Sequence, residues 1–287
     1  MNKRLFIAVL SGLLLQTVAV SLQAAADERS IVVASTTSTL DSGLFTQLLP
    51  VVRARTGITV KVIALGTGQA LETARRGDAD VVFVHDPEAE ARFVAEGHGL
   101  ARQLVMYNDF VIVGPAADPA GIRGSKDVVR AMDAIKRSQA TFISRGDKSG
   151  THQAELRLWK AAGIDVDSAT DRWYRAVGQG MGPALNIAVA SDAYVLTDRA
   201  TWISFRNKGS FRVLVEGDPR LFNQYSLILV NPATHPGTKA ALGQQFIDFL
   251  LSPDGQHALA SYRVEGQQLF HPNAVDGRLI PAHPAVQ

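Results

Sequence analysis

The sequence predicts a mixed α/β protein with two lobes, the second inserted into the first. Short apolar strands such as residues 31–34 and 59–65 alternate with segments of helical periodicity, which favours mainly parallel sheets flanked by helices. Prolines and glycines concentrate over residues 115–124, a composition typical of a connection between two such units. The 287 residues are enough for two modest domains.

The first 26 residues predict a secretory signal peptide rather than part of the fold. Lys3 and Arg4 precede an apolar run over residues 5–20, and alanines at positions 24–26 offer a cleavage site. A retained membrane anchor is less favoured, because the run is short and no stop-transfer pattern follows it. Cleavage after Ala26 would give a freely soluble exported protein, which we expect in a bacterial periplasm.

Charge and cysteine content exclude several classes of function. Loss of Lys3 and Arg4 lowers the 29 basic residues by two, to the same number as the 27 acidic residues. We therefore expect no general attraction for nucleic acid or anionic lipid. The chain contains no cysteine, which excludes disulfides, thiolate metal sites and cysteine nucleophiles.

In the first lobe, each strand should be followed by a helix. The apolar spacing of Leu44, Leu48 and Val52 predicts a helix that ends at Gly57. Pro50 should kink this helix or start a second piece, because proline lacks an N–H group. The other predicted elements are strands over residues 31–34, 59–65 and 80–85, an apolar strand over 110–113 within residues 103–114, and a helix over 70–76.

The second lobe should begin after a crossing near residues 107–114. Helices are predicted over residues 127–137 and 151–162 and from Pro183 to about residue 190, with Thr197 or Asp198 capping a further helix. Residues 178–182 should form a flexible loop. The predicted strands are residues 141–143, 193–196, 211–215 and 225–230. The last two should return the chain to the first lobe, where a final helix is predicted over residues 242–251.

Two hydroxyl-rich loops stand out at equivalent positions. Residues 35–39 read Ser-Thr-Thr-Ser-Thr after the first strand, and Arg145, Ser149 and Thr151 follow the strand over 141–143. Each loop lies between a strand and a helix, so each lies at the carboxyl edge of a sheet, where α/β proteins bind ligands. Hydroxyl groups, helix N-terminal N–H groups and one guanidinium together suit an oxyanion. The alternative for each loop alone is a plain helix cap or a surface turn.

The sequence gives weaker support for dinucleotide binding, metal binding or catalysis. The Gly66-Thr67-Gly68 turn lacks the third glycine of a dinucleotide fingerprint, and it is better interpreted as a tight turn that presents Thr67. His85 and His152 are expected to be structural. The seven histidines show no metal-ligand spacing, and neither a nucleophile elbow nor a GK[ST] phosphate loop occurs. We therefore expect no enzyme activity, no cofactor and no bound metal cation.

Across essentially the whole mature chain, the sequence resembles the periplasmic tungstate-binding proteins of bacterial ABC transporters. The resemblance lies in ordered motifs: residues 34–39 with Asp-Ser-Gly at 41–43, residues 144–147 and 149–152, the Gly-Gln-Gly-Met-Gly run at 178–182, and residues 194–199, 216–219, 221–223 and 269–274. Ser35 stands where the family usually has threonine. The resemblance implies a type II periplasmic-binding fold, with residues 27–110 and 218–287 as lobe I and residues 111–217 as lobe II.

The resemblance also implies a ligand, partners and site residues. Tungstate or molybdate would bind between the lobes of a monomer, which delivers it to a membrane permease driven by a cytoplasmic ATPase. The chain itself would not be embedded in the membrane and would not bind nucleic acid. The ligand candidates at matching positions are Thr37, Ser38, Arg145, Ser149, Gly150 and Thr151, then Thr36, Thr67 and Gly68, with Met181 and Thr197 lining the cleft.

Two competing functions remain open at this point. A phosphate- or sulfate-type binding protein is possible, but a site for protonated phosphate needs an acceptor, for which Asp147 is the candidate. If the ligand is unprotonated tungstate, Asp147 should point away from it, toward Arg145 or Lys148. An exported hydrolase would need a nucleophile and a base, and Ser149 with His152 is the only local pair.

Overall fold

The computed structural model describes residues 29–274, and the expected signal peptide lies outside this range. The described chain is a mixed α/β fold, as predicted. Its strands are β1 (Ser30–Thr36), β2 (Thr59–Leu65), β3 (Val81–Val84), β4 (Gln103–Gly114), β5 (Phe142–Ser144), β6 (Tyr174–Ala176), β7 (Tyr194–Asp198), β8 (Arg212–Val215), β9 (Phe222–Leu229), β10 (Arg263–Val264), β11 (Gln267–Gln268) and β12 (His271–Pro272).

The helices cover both faces of the sheet. They are α1 (Thr37–Asp41), α2 (Leu44–Thr56), α3 (Thr67–Arg75), α4 (Pro87–Ala95), α5 (Val128–Ser138), α6 (Gly150–Ala161), α7 (Met181–Ala190), α8 (Arg199–Ser204), α9 (Ala240–Leu251) and α10 (Pro253–Ser261). None of the described helices is long and apolar enough to cross a membrane.

The sheet has two halves, which we call lobe I and lobe II. In lobe I, β1 pairs in parallel with β2 and β3, and β9 joins β3 to the first part of β4 by antiparallel pairs. In lobe II, β5 pairs in parallel with β6 and β7, and the end of β4 pairs antiparallel with β7 and β8. Apolar clusters fill both lobes, and the cluster around Ile31 and Phe83 in lobe I also includes Ala200 and Ile203 of α8.

Strand β4 connects the two halves without a break. Its residues up to Asp109 pair with β9, and from Phe110 onward they pair with β7. The change of partner therefore falls inside the crossing predicted at residues 107–114. Strand β8 pairs with the lobe II part of β4, so the expectation that residues 211–215 return to the first lobe is wrong, and β9 alone makes that return.

Several predicted boundaries differ from the structure for local reasons. Helix α2 continues through Pro50 to Thr56, so no second helix starts there. Because proline has no N–H group, the carbonyl of Thr46 lacks its usual hydrogen bond within the helix. Both Pro50 and Thr46 are exposed, so water can bond to this carbonyl instead. Helix α3 starts at Thr67, earlier than predicted, because extended Gly66 acts as its N-cap. Helix α7 begins at Met181, which shortens the predicted loop over residues 178–182.

Candidate functional site

The carboxyl ends of parallel strands in each lobe meet at the interface between the lobes. In lobe I, β1, β2 and β3 lead into Thr37, Thr67 and His85, and in lobe II β5 leads into Arg145. Because parallel strands end at the same edge of a sheet, these side chains converge. The two hydroxyl loops predicted from the sequence are therefore brought together.

Arg145 lies at the centre of this interface. Its side chain is only 1% exposed. One nitrogen, Nη2, donates to Thr37 Oγ1 of lobe I at 3.0 Å and to Asp147 Oδ2 at 2.5 Å. The other two guanidinium nitrogens, Nε and Nη1, have no hydrogen-bond partner among residues 29–274. A buried guanidinium with free donors is a strong site for an anion, because burial strengthens charge-assisted hydrogen bonds.

Both carboxylate oxygens of Asp147 accept a hydrogen bond from its neighbours. Besides the contact of Oδ2 with Arg145, its Oδ1 accepts from Ser149 N at 3.1 Å. The predicted pairing of Asp147 with Arg145 is confirmed. The pair has a net charge of zero, and the anion would meet Arg145 through the three N–H groups that remain on Nε and Nη1.

The start of helix α6 supplies further donors. Ser149 is its N-cap and accepts from His152 N at 3.2 Å. Gly150 N donates across the interface to Thr67 Oγ1 at 2.9 Å. Thr151 Oγ1 is buried and has no partner within the described chain. His152 Nδ1 accepts from Lys148 N, which fits its predicted structural role in the first turn.

Three of the hydroxyl groups in the first loop are already bonded to one another. Thr36 is the N-cap of α1 and accepts from Thr39 N at 3.3 Å, while its Oγ1 lies 2.7 Å from Thr39 Oγ1. Ser38 Oγ lies 3.1 Å from Thr36 Oγ1. Thr37 differs, because its half-buried side chain points to Arg145. Thr36 therefore shapes the turn, and Thr37 links the lobes.

The remaining candidates occupy different positions. Gly68 is exposed, and a Cβ there would lie 3.7 Å from Lys148 O of the opposite lobe. Met181 is fully buried in an apolar cluster of lobe II. Thr197 is buried in β7 and donates to Asp198 O at 3.2 Å. Of the two predicted caps of α8, Asp198 is the N-cap and Thr197 is not.

A buried chain of polar side chains that starts at Ser38 was not predicted from the sequence. His85 Nε2 lies 3.2 Å from Ser38 Oγ, and His85 Nδ1 lies 3.0 Å from Asn223 Oδ1. Asn223 Nδ2 donates to Asn108 Oδ1 at 2.7 Å, and Asn108 Nδ2 donates to Asp198 Oδ1 at 3.5 Å. The available signal was the position of His85 directly after β3, at the same sheet edge as Ser38.

Electrostatics at the interface follow from burial. Burial lowers the pKa of His85 to about 4, with further lowering by Arg145 and Arg157, so the imidazole is neutral. Burial raises the pKa of Asp198, against bonds from Thr201 and the charge of Arg145. Nowhere in residues 29–274 do three or more metal-ligating side chains gather to hold a cation. The arrangement is suited to an anion.

Comparisons with known proteins agree with this geometry. A family model described as a PBP superfamily domain matches residues 23–254. A tungstate-binding protein TupA from Peptoclostridium acidaminophilum is 45% identical over 249 residues, which cover 85% of this chain and 86% of that protein.

Two solved structures are also similar. The tungstate-binding protein TupA from Desulfovibrio alaskensis G20 is 43% identical with a TM-score of 0.73, covering 86% of this chain and 99% of that one. A tungstate ABC transporter structure from Geobacter sulfurreducens is 47% identical with a TM-score of 0.75, covering 82% and 99%. This chain therefore belongs to the periplasmic-binding-protein superfamily and, within it, to the family of the tungstate-binding proteins of ABC transporters.

Proposed function

We propose that this protein is the extracytoplasmic binding subunit of an ABC importer and that it holds tungstate, or the closely similar molybdate, between its lobes. The observation that carries the proposal is the buried Arg145 guanidinium, whose Nε and Nη1 have no partner in the described chain. Tungstate-binding relatives at 43–47% identity support the choice of anion.

The binding site combines a charge with neutral donors. Arg145 and Thr151 Oγ1 provide free donors from lobe II. Helix α1 provides backbone N–H groups from lobe I, since the first N–H groups of a helix lack intrahelical acceptors. Such a set surrounds a tetrahedral dianion without excess positive charge, and closure of the lobes keeps water out.

Delivery of the anion completes the proposed role. A membrane permease with its cytoplasmic ATPase would receive the anion from the closed protein, which acts as a monomer in the periplasm after removal of residues 1–26. Binding needs neither a cofactor nor a catalytic residue, and the protein releases the anion unchanged. Met181 and Thr197 would act as buried supports rather than as ligands.

A competitive calorimetric titration of the protein without residues 1–26 tests this function. We expect tungstate and molybdate to bind tightly, and sulfate and phosphate to compete weakly. Each oxygen of Asp147 already accepts a hydrogen bond and its charge is paired with Arg145, which disfavours it as the acceptor for the proton of hydrogen phosphate. Phosphate outcompeting tungstate would overturn the proposal.

A further inference from the structure

We propose that His85 takes up a proton when the dianion binds, and that the resulting imidazolium is the second positive charge of the site. This inference rests on the proposed function, because it assigns the residue that balances a doubly charged ligand. His85 then acts through Ser38, so it is a positioning residue for the anion.

The direction of the buried hydrogen-bond chain determines which ring nitrogen of neutral His85 carries the proton. Asp198 accepts from Thr201 through both carboxylate oxygens, at 2.8 and 2.6 Å, so Asn108 must present its NH₂ group to Asp198. Asn108 Oδ1 then accepts from Asn223, whose own Oδ1 faces His85. Because Oδ1 can only accept, the proton of neutral His85 must be on Nδ1.

This tautomer determines what Ser38 can offer. With the proton on Nδ1, His85 Nε2 carries a lone pair, and Ser38 Oγ must donate to it across 3.2 Å. The Ser38 hydroxyl proton then points away from an approaching anion. Thr36 Oγ1 lies 3.1 Å from Ser38 Oγ and can donate to it. This bond does not free the Ser38 hydroxyl proton from its bond to His85.

Protonation of His85 reverses a single bond. A proton from solvent adds to Nε2, which becomes a donor to Ser38 Oγ. Ser38 then turns its own hydroxyl proton toward the anion. The bond from Nδ1 to Asn223 has the same direction in both states, so the rest of the chain toward Asp198 is unchanged. The new N–H bond on Nε2 is the only covalent bond that forms, and none within the protein breaks.

The charges around His85 favour this proton only when an anion is present. Arg145 and Arg157 both lower the pKa of His85, after the larger effect of burial, and the positive end of helix α6 adjoins the ring at Gly150. A dianion on Arg145 and on that helix end cancels this positive potential. It also leaves two negative charges in excess, since Arg145 is already paired with Asp147, and a proton on His85 lowers this excess to one.

Apart from Arg145, Arg157 and the end of helix α6, the groups packed against the ring do not oppose a positive charge. Tyr225 stacks on His85 with ring centroids 4.7 Å apart, and Phe110 lies 6.3 Å away. Both aromatic rings are compatible with a cation. Arg157 is itself paired with Asp86, and Asp198 lies at the far end of the chain. Glycine at position 150 permits the close approach, since a Cβ there would lie 3.0 Å from His85 Cε1.

Calorimetry in several buffers tests the proposal. Tungstate is titrated at pH 7 in buffers that differ in ionisation enthalpy. The slope of the observed binding enthalpy against the ionisation enthalpy of the buffer gives the number of protons taken up. We expect an uptake of up to one proton for tungstate and much less for perrhenate, a tetrahedral monoanion of similar size. Between the free and bound pKa of His85, the tungstate affinity should rise up to about tenfold per unit decrease in pH.

Two variants assign the proton to its residue. His85→Gln keeps a neutral amide near Ser38 but cannot be protonated, so proton uptake should disappear and the preference for tungstate over perrhenate should fall. His257→Gln, in exposed α10, is the matched control and should retain the uptake. Uptake that persists in His85→Gln would overturn the proposal and point to another group, such as His152.

A spectroscopic measurement keeps the proposal falsifiable without a variant. In ¹⁵N-labelled protein, the His85 ring should show a protonated Nδ1 and an unprotonated Nε2 before binding, and two protonated nitrogens with tungstate bound. Tungstate binding without a change at Nε2 contradicts this inference alone. Failure of tungstate to bind at all contradicts the proposed function instead.

Discussion

At the scale of single residues, anion recognition depends on donors that are buried before any ligand arrives. The guanidinium of Arg145 and the hydroxyl of Thr151 have already lost their hydration, and in residues 29–274 they lack full replacement partners. An unsatisfied buried donor is unfavourable by roughly 1–3 kcal/mol. A bound anion removes that penalty, so these residues should affect binding more than stability.

Replacing Arg145 by alanine should weaken tungstate binding by roughly 2–5 kcal/mol, because a desolvated charge contact is lost. Isothermal titration calorimetry measures the change. Arg137→Ala is the control, since Arg137 is exposed on α5 and its ion pair in the described part of the chain is with Asp133 on the same helix. A loss below about 0.5 kcal/mol would remove Arg145 from the site.

Thr151→Val should weaken binding by about 1.5–3 kcal/mol while leaving the free energy of unfolding nearly unchanged. Valine preserves the shape of the side chain, and the lost hydroxyl has no partner in the described chain. Thr73→Val serves as the control, because the Thr73 hydroxyl bonds to Gln69 O within α3. Equal affinities for Thr151→Val and the wild type would mean that the hydroxyl does not reach the anion.

A second buried carboxyl group makes a prediction about pH and stability. Burial raises the pKa of Glu155 to about 8, although Tyr174 and Trp159 both donate to it. A pKa raised on folding gives stability that is present below the unfolded value and lost as pH rises through the folded value. Between these values, unfolding free energy should fall by up to about 1.4 kcal/mol per pH unit.

Urea denaturation at several pH values between 5 and 8.5 measures this loss. Glu155→Gln mimics the neutral form and should lose less stability than the wild type as pH rises. Parallel pH profiles for the two proteins would show that Glu155 does not titrate in this range.

At the scale of elements, the lobes meet through helix N-termini. Helix α6 of lobe II places Gly150 N on Thr67 Oγ1 of lobe I, and a Cβ at Gly150 would lie 2.9 Å from that oxygen. Helix α1 approaches lobe II through Thr37. Both contacts join the lobes, so they stabilise the arrangement in which the donors converge.

Gly150→Ala should hinder closure and weaken tungstate binding by at least tenfold. The added methyl group would collide with Thr67 and His85, and neither belongs to the lobe that carries Gly150. Small-angle scattering with saturating tungstate should show a larger radius of gyration than the wild type. Gly237→Ala is the control, since nothing lies within 4 Å of a Cβ there. Wild-type compactness and affinity would contradict a role for this contact.

Local signals predicted the elements better than their partners. Gly57 ends α2 with a φ of 70°, as predicted, and α5 covers Val128–Ser138 where a helix was predicted over residues 127–137, because both signals act within a few residues. The hydroxyl loops were also visible as sequence runs. The chain from His85 to Asn223 was not, because it joins residues 138 positions apart. Sequence periodicity carries no information about such contacts. For the same reason it did not show that β8 pairs with the lobe II part of β4.

At the scale of the whole molecule, the two lobes share the strand β4. Where this strand changes partner, Arg199 of lobe II donates to both oxygens of Asp109 at 2.7 Å and also to Glu216. This group of charges adjoins the crossing rather than the anion site. It therefore stabilises β4 at the point where the two lobes join.

The central claim is that one tetraoxo anion is held between the lobes by Arg145, Thr151 and the first turns of α1 and α6. A crystal structure with tungstate, using the anomalous scattering of tungsten, tests it most directly. We predict one strong peak at the interface, with oxygens in hydrogen-bond range of Arg145 Nε or Nη1 and of Thr151 Oγ1. A peak on an outer surface, or a bound anion that contacts only one lobe, would contradict the account.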